Sequence, residues 1–424
     1  MTRIRRYAGR PFLALLAFAL PLVAARTVQA CTGIDFSVQI PKLSANTFAF
    51  SGRTMEFGPD VTSWKLVYTP VGSAYQACEV SGINTCIDGT VNRVKGSSWT
   101  VAHAYAGFTP MRPLVDPQTH KRILEYTMKD TNDGINDQGV YCGGFYHMGT
   151  EQYSPEPAGP GQTNLSAMDF PSWVLGQVGS VAELKARLSD DQHPVYVRQF
   201  YVQEDDAPVT QASKFPQLHY KVVDPTGAAV VIEFLNGKAV VTDSVGVITN
   251  NPTYDWQKTN LSNYVGLATT NYESVRFLNN VYKKLSNGTG GLGLPGDFTS
   301  PSRFVRAVYF LSATLANIDI ASPEEAVLRA FRILNQFDIP EGSVVELNPN
   351  PAKKPVMEAT SWTSMADLKN LRYYYHTMTS RTIRVIDLKE LMSRIPGGAG
   401  ARPSTIDTPD SEMIVDVSDQ FKAR

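Results

Sequence analysis

The feature that most constrains the fold is a run of three β-branched segments between His219 and Asp243. The segments HYKVV, AAVVIEF and AVVTD are separated by DPTG and LNGK, and both separators contain residues that favour tight turns. Strands joined by turns this short form an antiparallel meander. This part of the chain is therefore predicted to form a sheet, and another layer must cover at least one face of that sheet.

A second hairpin is predicted near the start of the chain. Ile34, Phe36 and Val38 alternate with other residues as in a strand, and NTFAFSGR follows as a returning strand. This hairpin brings Arg53 back toward Cys31.

Helices are predicted from capping signals. Ser180 with Glu183 and Ser322 with Glu325 are capping boxes, each followed by a run with apolar residues at helical spacing. The second box also has proline at the first helical position, and residues 302–316 are predicted to form a further helix. Since strands and helices do not alternate strictly, the pattern indicates an α+β layered fold.

The first thirty residues have the pattern of an export signal. A basic start precedes an apolar run over residues 11–25, and Val28 and Ala30 are the small residues that a signal peptidase reads. We expect residues 1–30 to be removed, residues 31–395 to form a single domain, and residues 396–424 to form an exposed tail. Export predicts a periplasmic or secreted protein. Lipidation of Cys31 is the alternative, but Gln29 fits a lipidation site poorly.

Charge and composition exclude some functions. Without its five N-terminal arginines the chain has 34 basic and 40 acidic residues, so it is mildly acidic. This balance excludes a basic nucleic-acid surface, and the predicted removal of the signal leaves no stable membrane anchor. The six histidines have no HExxH spacing and no Cys-x-x-Cys partner, so no metal or other cofactor is expected.

The four cysteines fit an exported protein. Cys78 and Cys86 either close a small disulfide loop or remain two free thiols. Cys142 lies in the apolar run GVYCGGFYHM and is expected in the core. Cys31 is left unpaired.

An N-terminal Cys31 would have its own α-amine, which titrates at about 7.7–8.0 when unperturbed. That amine could accept the thiol proton, so one residue could supply both nucleophile and base. A nearby Arg53 would favour the thiolate. The alternative is that Arg53 is an ordinary surface or salt-bridge residue.

Five stretches in order carry a resemblance: CTGIDF, GRTMEF, DGINDQGVYCGGFY, VITNNPTYDWQKTNL and LPGDFTSPSRFVRA. Together they resemble the choloylglycine hydrolase family, which includes penicillin V acylases and conjugated bile salt hydrolases. The resemblance extends from Cys31 to about Leu388 and includes WTSMADLKNLRYYY. It implies a four-layered αββα fold of the N-terminal nucleophile hydrolase kind, hydrolysis of linear amides without a cofactor, and a homotetramer.

The resemblance also implies roles for individual residues. Cys31 matches the nucleophile, and Arg53 matches the arginine beside its sulfur. Glu56 stands where relatives often have an aspartate that holds the α-amine. Asn250 matches the residue whose amide helps to form the oxyanion hole, and Arg303 matches a second active-site arginine.

Tyr146 departs from the bile salt hydrolases, which usually have asparagine at this position. Its N–H is expected in the oxyanion hole, and its ring is expected to line the substrate pocket, with core packing as the alternative. Phe57 and Phe145 are possible pocket residues by adjacency, although core packing is preferred for Phe145. Asp297 is interpreted as a turn or capping residue.

The expected partner is a small-molecule amide substrate. Penicillin V ranks first, N-acyl homoserine lactones are an additional hypothesis, and conjugated bile salts are the alternative. The non-enzyme alternative is a lipid-anchored periplasmic binding protein.

Overall fold

The structure of the protein is a computed structural model. It describes residues 30–43, 47–56, 63–80, 83–84, 86–87, 93–115, 122–125, 130–157, 159–202, 213–214, 217–347 and 355–408. The strands within these ranges, β1 to β27 in chain order, are Cys31–Gln39, Thr47–Glu56, Ser63–Thr69, Ala74–Gln76, Glu79–Val80, Ile83–Asn84, Cys86–Ile87, Ser98–Thr100, Tyr105–Val115, Arg122–Glu125, Asp133–Asn136, Tyr141–Tyr146, Thr163–Ser166, Val195–Val202, Ser213–Lys214, Leu218–Val223, Ala229–Leu235, Lys238–Asp243, Val247–Ile248, Ser274–Phe277, Asn280–Lys283, Val344–Glu346, Val356–Glu358, Thr360–Asp367, Arg372–Thr377, Arg384–Asp387 and Ser404–Asp407. The helices α1 to α6 are Asp169–Gln177, Val181–Leu188, Tyr254–Asn260, Ser300–Asn317, Pro323–Leu334 and Leu388–Arg394.

The first of two large sheets has the order β19-β1-β2-β24-β25-β26. The predicted N-terminal hairpin is confirmed as its antiparallel pair β1–β2, in which Cys31 is opposite Met55 and Gly33 is opposite Arg53. Because successive side chains of a strand point to opposite faces, this register determines which residues share a face with Cys31. Cys31 therefore opens an interior strand, with β19 on one side and β2 on the other.

The second large sheet has the order β18-β17-β16-β12-β11-β9-β3-β27, with β10 beside β9. The predicted meander is confirmed as β16, β17 and β18, which pair in antiparallel register. Next to the meander is β12, whose six residues are all buried. Burial on both faces is what a strand in an inner layer requires, because both of its sides then contact other parts of the protein.

The two sheets pack face to face with helices outside them. Phe108 of the second sheet stacks on Trp362 of the first at a centroid distance of 4.1 Å. Phe304 of α4 and Phe331 of α5 belong to the same buried cluster as the first sheet. On the other side, Phe170 of α1 contacts Tyr220 of β16 at 4.4 Å. The order of layers is therefore helix, sheet, sheet, helix.

The helix starts follow the predicted capping boxes. Ser180 accepts a hydrogen bond from the N–H of Glu183, and Ser322 accepts one from the N–H of Glu325. The third predicted helix is α4, which extends slightly beyond the predicted residues at both ends.

The packed body extends further than the predicted boundary at residue 395. Residues 404–407 form β27, which pairs with β3 at the edge of the second sheet. Backbone pairing at a sheet edge does not require a strongly apolar sequence, and Ile406 of this strand stays 61% exposed. The prediction of a tail from residue 396 is therefore wrong for this segment, and residues 409–424 lie outside the described part of the chain.

Cys78 and Cys86 form a disulfide, so the first of the two alternatives for this pair is confirmed. Cys142 is a buried free thiol in the cluster beneath α1, as predicted. Among the described residues, no helix has both the length and the apolar character needed to cross a membrane.

Candidate active site

Cys31 lies at the first position of β1, and its side chain is buried. In the full chain its nitrogen is still joined to Ala30, which is also buried. That nitrogen donates to Oδ1 of Asn250 at 2.8 Å, across 219 residues of sequence. The interaction places the start of β1 against the loop that follows β19.

Asn250 connects both sheets at this point. Its Oδ1 accepts from Cys31, its Nδ2 donates to the carbonyl of Tyr146 at 2.8 Å, and its N–H donates to Oγ of Ser300 at 2.9 Å. An amide nitrogen has two hydrogens, and the Tyr146 carbonyl uses one of them. The side chain is therefore fixed while one N–H remains available for a developing negative charge.

Arg303 holds Cys31 and Asn250 together from α4. Its Nη1 donates to the Cys31 carbonyl and to Oγ1 of Thr32, and its Nη2 donates to Oδ1 of Asn250 at 2.6 Å. Nε donates to the carbonyl of Phe298 at 2.9 Å. Because a guanidinium offers five N–H donors in a fixed plane, one buried Arg303 can orient both of these site residues.

Arg53 approaches Cys31 from β2. Its guanidinium is fully buried, donates to the carbonyls of Thr54 and Gly144, and lies 4.1 Å from the centre of the Phe145 ring. Cation–π stacking of this kind stabilises a desolvated guanidinium. The β1–β2 register and the electrostatic influence of Arg53 on Cys31 agree with the predicted proximity, and Arg53 is not a surface residue.

The charges around Cys31 act in opposite directions on its thiol. Burial raises the pKa of the Cys31 thiol, Arg53 and Arg303 lower it, and Glu56 raises it. Two guanidinium groups therefore offset part of the cost of forming a thiolate in a buried site.

Glu56 is buried at the end of β2, but it does not contact the Cys31 nitrogen as the resemblance implied. The peptide nitrogen of Cys31 has one hydrogen, which it donates to Asn250. Oε1 of Glu56 accepts from Thr360 Oγ1 at 3.0 Å, and Oε2 has no hydrogen-bond partner among the described residues. Burial raises the pKa of Glu56 to about 7, against the opposing effect of Arg303.

The three aromatic residues proposed for substrate contact have different outcomes. Phe145 is fully buried beneath Arg53, and a Cβ added to Gly33 would be 2.6 Å from its ring, so its role is packing, not substrate contact. The Tyr146 side chain is only 5% exposed and belongs to the cluster beneath α1, so the core-packing alternative fits it better than the pocket wall. Phe57 lies outside the described residues.

Asp297 is a turn residue ahead of α4, the first of the two roles interpreted from the sequence, and Thr299 is the N-cap of that helix. Its carboxylate accepts from the N–H of Thr299 at 2.9 Å and from Oγ of Ser302 at 2.7 Å, ahead of α4. Partial burial acts to raise the pKa of Asp297, but these hydrogen bonds outweigh it and lower that pKa to about 2.

The structure also brings together His147, His219 and Glu233, which are distant in sequence. His147 Nε2 and His219 Nδ1 lie 3.7 and 3.9 Å from Oε1 of Glu233. However, the two imidazole rings stack at 4.0 Å with only 9° between their planes. An imidazole nitrogen offers its lone pair in the plane of its ring, so lone pairs from two stacked rings do not meet at one ion. The geometry therefore does not support a metal centre at this cluster.

Sequence reasoning missed several residues that complete the site. Thr32 and Ser300 anchor Arg303 and Asn250, and Asp133 accepts hydrogen bonds in the layer between the sheets. Asp133 lies within the quoted stretch DGINDQGVYCGGFY, and a charged residue at the start of an otherwise buried strand was a signal that could have identified it. Thr32 and Ser300 have no comparable signal.

Comparison with known proteins gives a consistent result. Residues 123–395 match the family described as linear amide C-N hydrolases, choloylglycine hydrolase family. A bile salt hydrolase/transferase of Clostridium perfringens is 32% identical over 259 residues, covering 61% of this chain and 72% of the relative. A penicillin V acylase of Pectobacterium atrosepticum is 25% identical over 286 residues, covering 65% of this chain and 66% of the relative.

Solved structures are similar over most of the chain. A variant of the conjugated bile acid hydrolase from Clostridium perfringens has a TM-score of 0.68 and 24% identity, covering 92% of this chain and all of that one. The penicillin V acylase of Agrobacterium tumefaciens has a TM-score of 0.56 and 17% identity, covering 85% of this chain and 87% of that one. At such identities the likeness concerns the fold, and it confirms the predicted αββα arrangement.

Proposed function

Because the chain belongs to the choloylglycine hydrolase family of linear amide C–N hydrolases, we propose that Cys31 is its nucleophile and that cleavage after Ala30 frees the catalytic amine. The observation that carries this proposal is the contact between the Cys31 nitrogen and Asn250 Oδ1 at 2.8 Å. This contact would hold a freed amine beside its own thiol. The proposal includes export to the periplasm or the medium.

Freeing the amine changes the hydrogen bonds available at Cys31. The peptide nitrogen has one hydrogen and gives it to Asn250, whereas a neutral amine has two and an ammonium has three. Glu56 Oε2 has no hydrogen-bond partner among the described residues and influences the thiol electrostatically, so it is the acceptor we assign to the additional hydrogens. In this way Glu56 regains the amine-holding role implied by the resemblance, but only in the cleaved chain.

The proposed reaction starts with transfer of the thiol proton of Cys31 to its neutral α-amine. The sulfur then attacks the amide carbonyl carbon, and the electron pair of the C=O bond moves to oxygen. The remaining Nδ2–H of Asn250 and the N–H of Tyr146 are the donors that we assign to this oxyanion. When this tetrahedral intermediate collapses, the C–N bond breaks and the ammonium of Cys31 gives its proton to the leaving nitrogen. Water then hydrolyses the acyl-enzyme thioester.

We rank penicillin V first as substrate. Its support is Tyr146, which provides no side-chain amide where the resemblance places asparagine in bile salt hydrolases. N-acyl homoserine lactones, which also join an acyl chain to nitrogen through a linear amide, are an additional candidate. Conjugated bile salts rank third and are the alternative, and their support is the 32% identical bile salt hydrolase/transferase. A competition assay that offers all three substrates to the enzyme ranks them by their rates of hydrolysis. Faster hydrolysis of the bile salt would overturn our ranking of substrates.

The nucleophile is tested on exported protein by intact mass, brief iodoacetamide treatment and penicillin V hydrolysis in parallel. We expect a chain that begins at Cys31 with an unmodified amine, and loss of hydrolysis as that thiol is alkylated. Cys31→Ser should fold normally and lose activity by a factor on the order of 10³ or more. Cys142→Ser is the matched control, since its thiol is also buried and free but lies outside the site. Full activity of Cys31→Ser would refute the assignment.

We also propose that the chain assembles as a homotetramer, with the hairpin of β20 and β21 in the interface. Phe277, Leu278 and Tyr282 of this hairpin are 63%, 93% and 54% exposed. An isolated two-stranded hairpin is only marginally stable in water, so burial of these side chains against a second copy would stabilise it. Light scattering should give four chains for the wild type and fewer for Phe277→Asp, and a monomeric wild type would refute this proposal.

A further inference from the structure

The stretch DGINDQGVYCGGFY contains an acidic residue that has no role in the reaction above. Asp133 opens β11 and is fully buried. Its carboxylate accepts hydrogen bonds from the hydroxyls of Tyr141 and Tyr373 and from Oγ of Ser364, the last at 2.8 Å. Tyr141 belongs to the second sheet and the other two donors belong to the first, so Asp133 lies in the layer where the sheets meet.

Arg53 is the buried cation that acts most strongly on the Asp133 carboxylate. Burial raises the pKa of Asp133, and Arg53 is the largest influence that lowers it. The guanidinium of Arg53 reaches across the layer to the carbonyl of Gly144, and the neighbouring Gly143 is the residue that pairs with Asp133 in the sheet. Arg53 is opposite Gly33 in the β1–β2 pair and also acts electrostatically on two groups that can be anionic, Cys31 and Asp133.

Gly143 is required for this arrangement. A Cβ at this position would be 2.8 Å from Oδ1 of Asp133 and 2.6 Å from the hydroxyl of Tyr141. Any side chain would therefore displace the carboxylate or its donor. The glycine in the sequence is explained by the space that the Asp133 carboxylate occupies.

The other charges in the layer have partners of their own. Lys221 lies 3.8 Å from Asp35 and donates to the Ile34 carbonyl at 2.7 Å. The layer thus contains one buried ion pair, Lys221 with Asp35, whereas Arg53 acts on Asp133 electrostatically without direct contact. Asp133 interacts electrostatically with Arg53, Tyr141, Tyr373, Lys221 and Cys142. Cys31 interacts electrostatically with Arg53, Glu56 and Arg303.

We propose that Asp133 is the buried counter-charge of Arg53 and that, through Arg53, it sets how strongly the site favours the thiolate of Cys31. Charges interact strongly where water is excluded, so the negative charge of Asp133 offsets part of the positive potential that Arg53 produces at Cys31. Asp133 is therefore a positioning residue that acts through Arg53 and does not touch the substrate. This inference rests on the proposed function, because it takes Cys31 as the reactive thiol.

The test measures the rate of Cys31 alkylation by iodoacetamide as a function of pH, on the exported, folded chain, with peptide masses locating the label. Asp133→Asn removes the charge and nearly preserves the shape. Removing an anion favours the thiolate, so the midpoint of the alkylation profile should move down by about half to one pH unit. Below the wild-type midpoint, alkylation should then be about 3- to 10-fold faster.

Asp35→Asn is the matched control. It neutralises the other buried carboxylate of the same layer, and Asp35 acts on Lys221, not on Cys31 or Arg53. It should lower stability without moving the alkylation profile. If Asp133→Asn does not fold, Asp133→Ser provides the same loss of charge in a smaller side chain.

A midpoint that stays within about 0.2 pH units, moves upward, or moves equally in Asp35→Asn would overturn the inference. If alkylation inactivates the wild-type enzyme but the Asp133→Asn alkylation profile does not move, the inference about Asp133 fails and the proposed function stands. Alkylation of wild-type Cys31 without loss of hydrolysis would instead defeat the proposed function.

Discussion

Two adjacent buried regions use ionisable side chains in opposite ways. The nucleophile region contains Cys31, Arg53, Glu56, Asp133 and Arg303, and the imidazole cluster contains His147, Glu151, His219 and Glu233. The chain joins them at two places. Tyr146 directly precedes His147. Thr249 directly precedes Asn250, and the Thr249 carbonyl lies 3.0 Å from His219 Nε2. Both regions are buried, but of the two sets only the first contains arginine.

The imidazole cluster shows what burial does without a permanent cation. Burial lowers the pKa of His147 to about 4 and raises that of Glu151 to about 9, although the two side chains are 2.6 Å apart. At neutral pH both groups are therefore uncharged. In the nucleophile region the guanidinium groups cannot lose their protons, so positive charge remains beside Cys31. Burial alone thus favours the neutral forms of His147 and Glu151, whereas arginine keeps positive charge in the neighbouring region.

The largest effect should come from removing one of those cations. Arg303→Leu removes the guanidinium donor to the Cys31 carbonyl and to Thr32 Oγ1, and one of the two donors to Asn250 Oδ1. We expect a loss of about 3–5 kcal/mol in unfolding free energy and a loss of activity in the molecules that remain folded. Denaturant unfolding and hydrolysis per folded chain measure the two effects.

Arg198→Leu is the control for Arg303→Leu. Arg198 is also fully buried, but it bonds Asn164 and the carbonyl of Ser154, away from Cys31. It should lose similar stability and keep its activity per folded molecule. Equal activity losses in both variants would mean that Arg303 has only a packing role.

A smaller effect is expected where the two regions join. Asn250→Ala should lower kcat by about 10²–10³, because it removes a donor aimed at the oxyanion. The control is Asn251→Ala, whose side chain donates to the Met148 carbonyl and to Thr150 Oγ1, both at 2.6 Å. Steady-state kinetics distinguish them, and an unchanged kcat in Asn250→Ala would exclude this residue from the oxyanion hole.

The last effect, small over any single pH unit, concerns the imidazole cluster and is a gain in stability relative to wild type. The folded-state pKa of Glu151 is raised, so its contribution to stability is lost as pH rises from about 4.5 toward 9. Glu151→Gln cannot ionise, so its stability relative to wild type should increase by on the order of 1 kcal/mol per pH unit across that window. Urea unfolding at several pH values measures this difference, with the exposed Glu341→Gln as the control. A difference independent of pH would contradict a neutral cluster.

Local patterns predicted the parts of the site that depend on neighbours in sequence. Alternation over residues 34–38 and the returning strand gave a hairpin, and the register of that hairpin puts Arg53 beside the start of β1. Asn250 and Arg303 were reached only through the family resemblance, because no local signal relates them to Cys31. The Glu56 contact was predicted for a free amine, and in the chain joined to Ala30 the single N–H goes to Asn250 instead.

The sequence by itself determined the strands, the helix starts, the hairpin of Cys31 and Arg53, and the family. These follow from residue periodicity, from capping and turn residues, and from motifs in a fixed order, all of which act over short stretches of chain. Only the tertiary structure decided that Asp133 meets Tyr373 across 240 residues, that His147 stacks on His219, and that the Tyr146 ring enters the core. Such contacts depend on how two sheets and their helices pack, and burial in that packing determines which side chains remain charged.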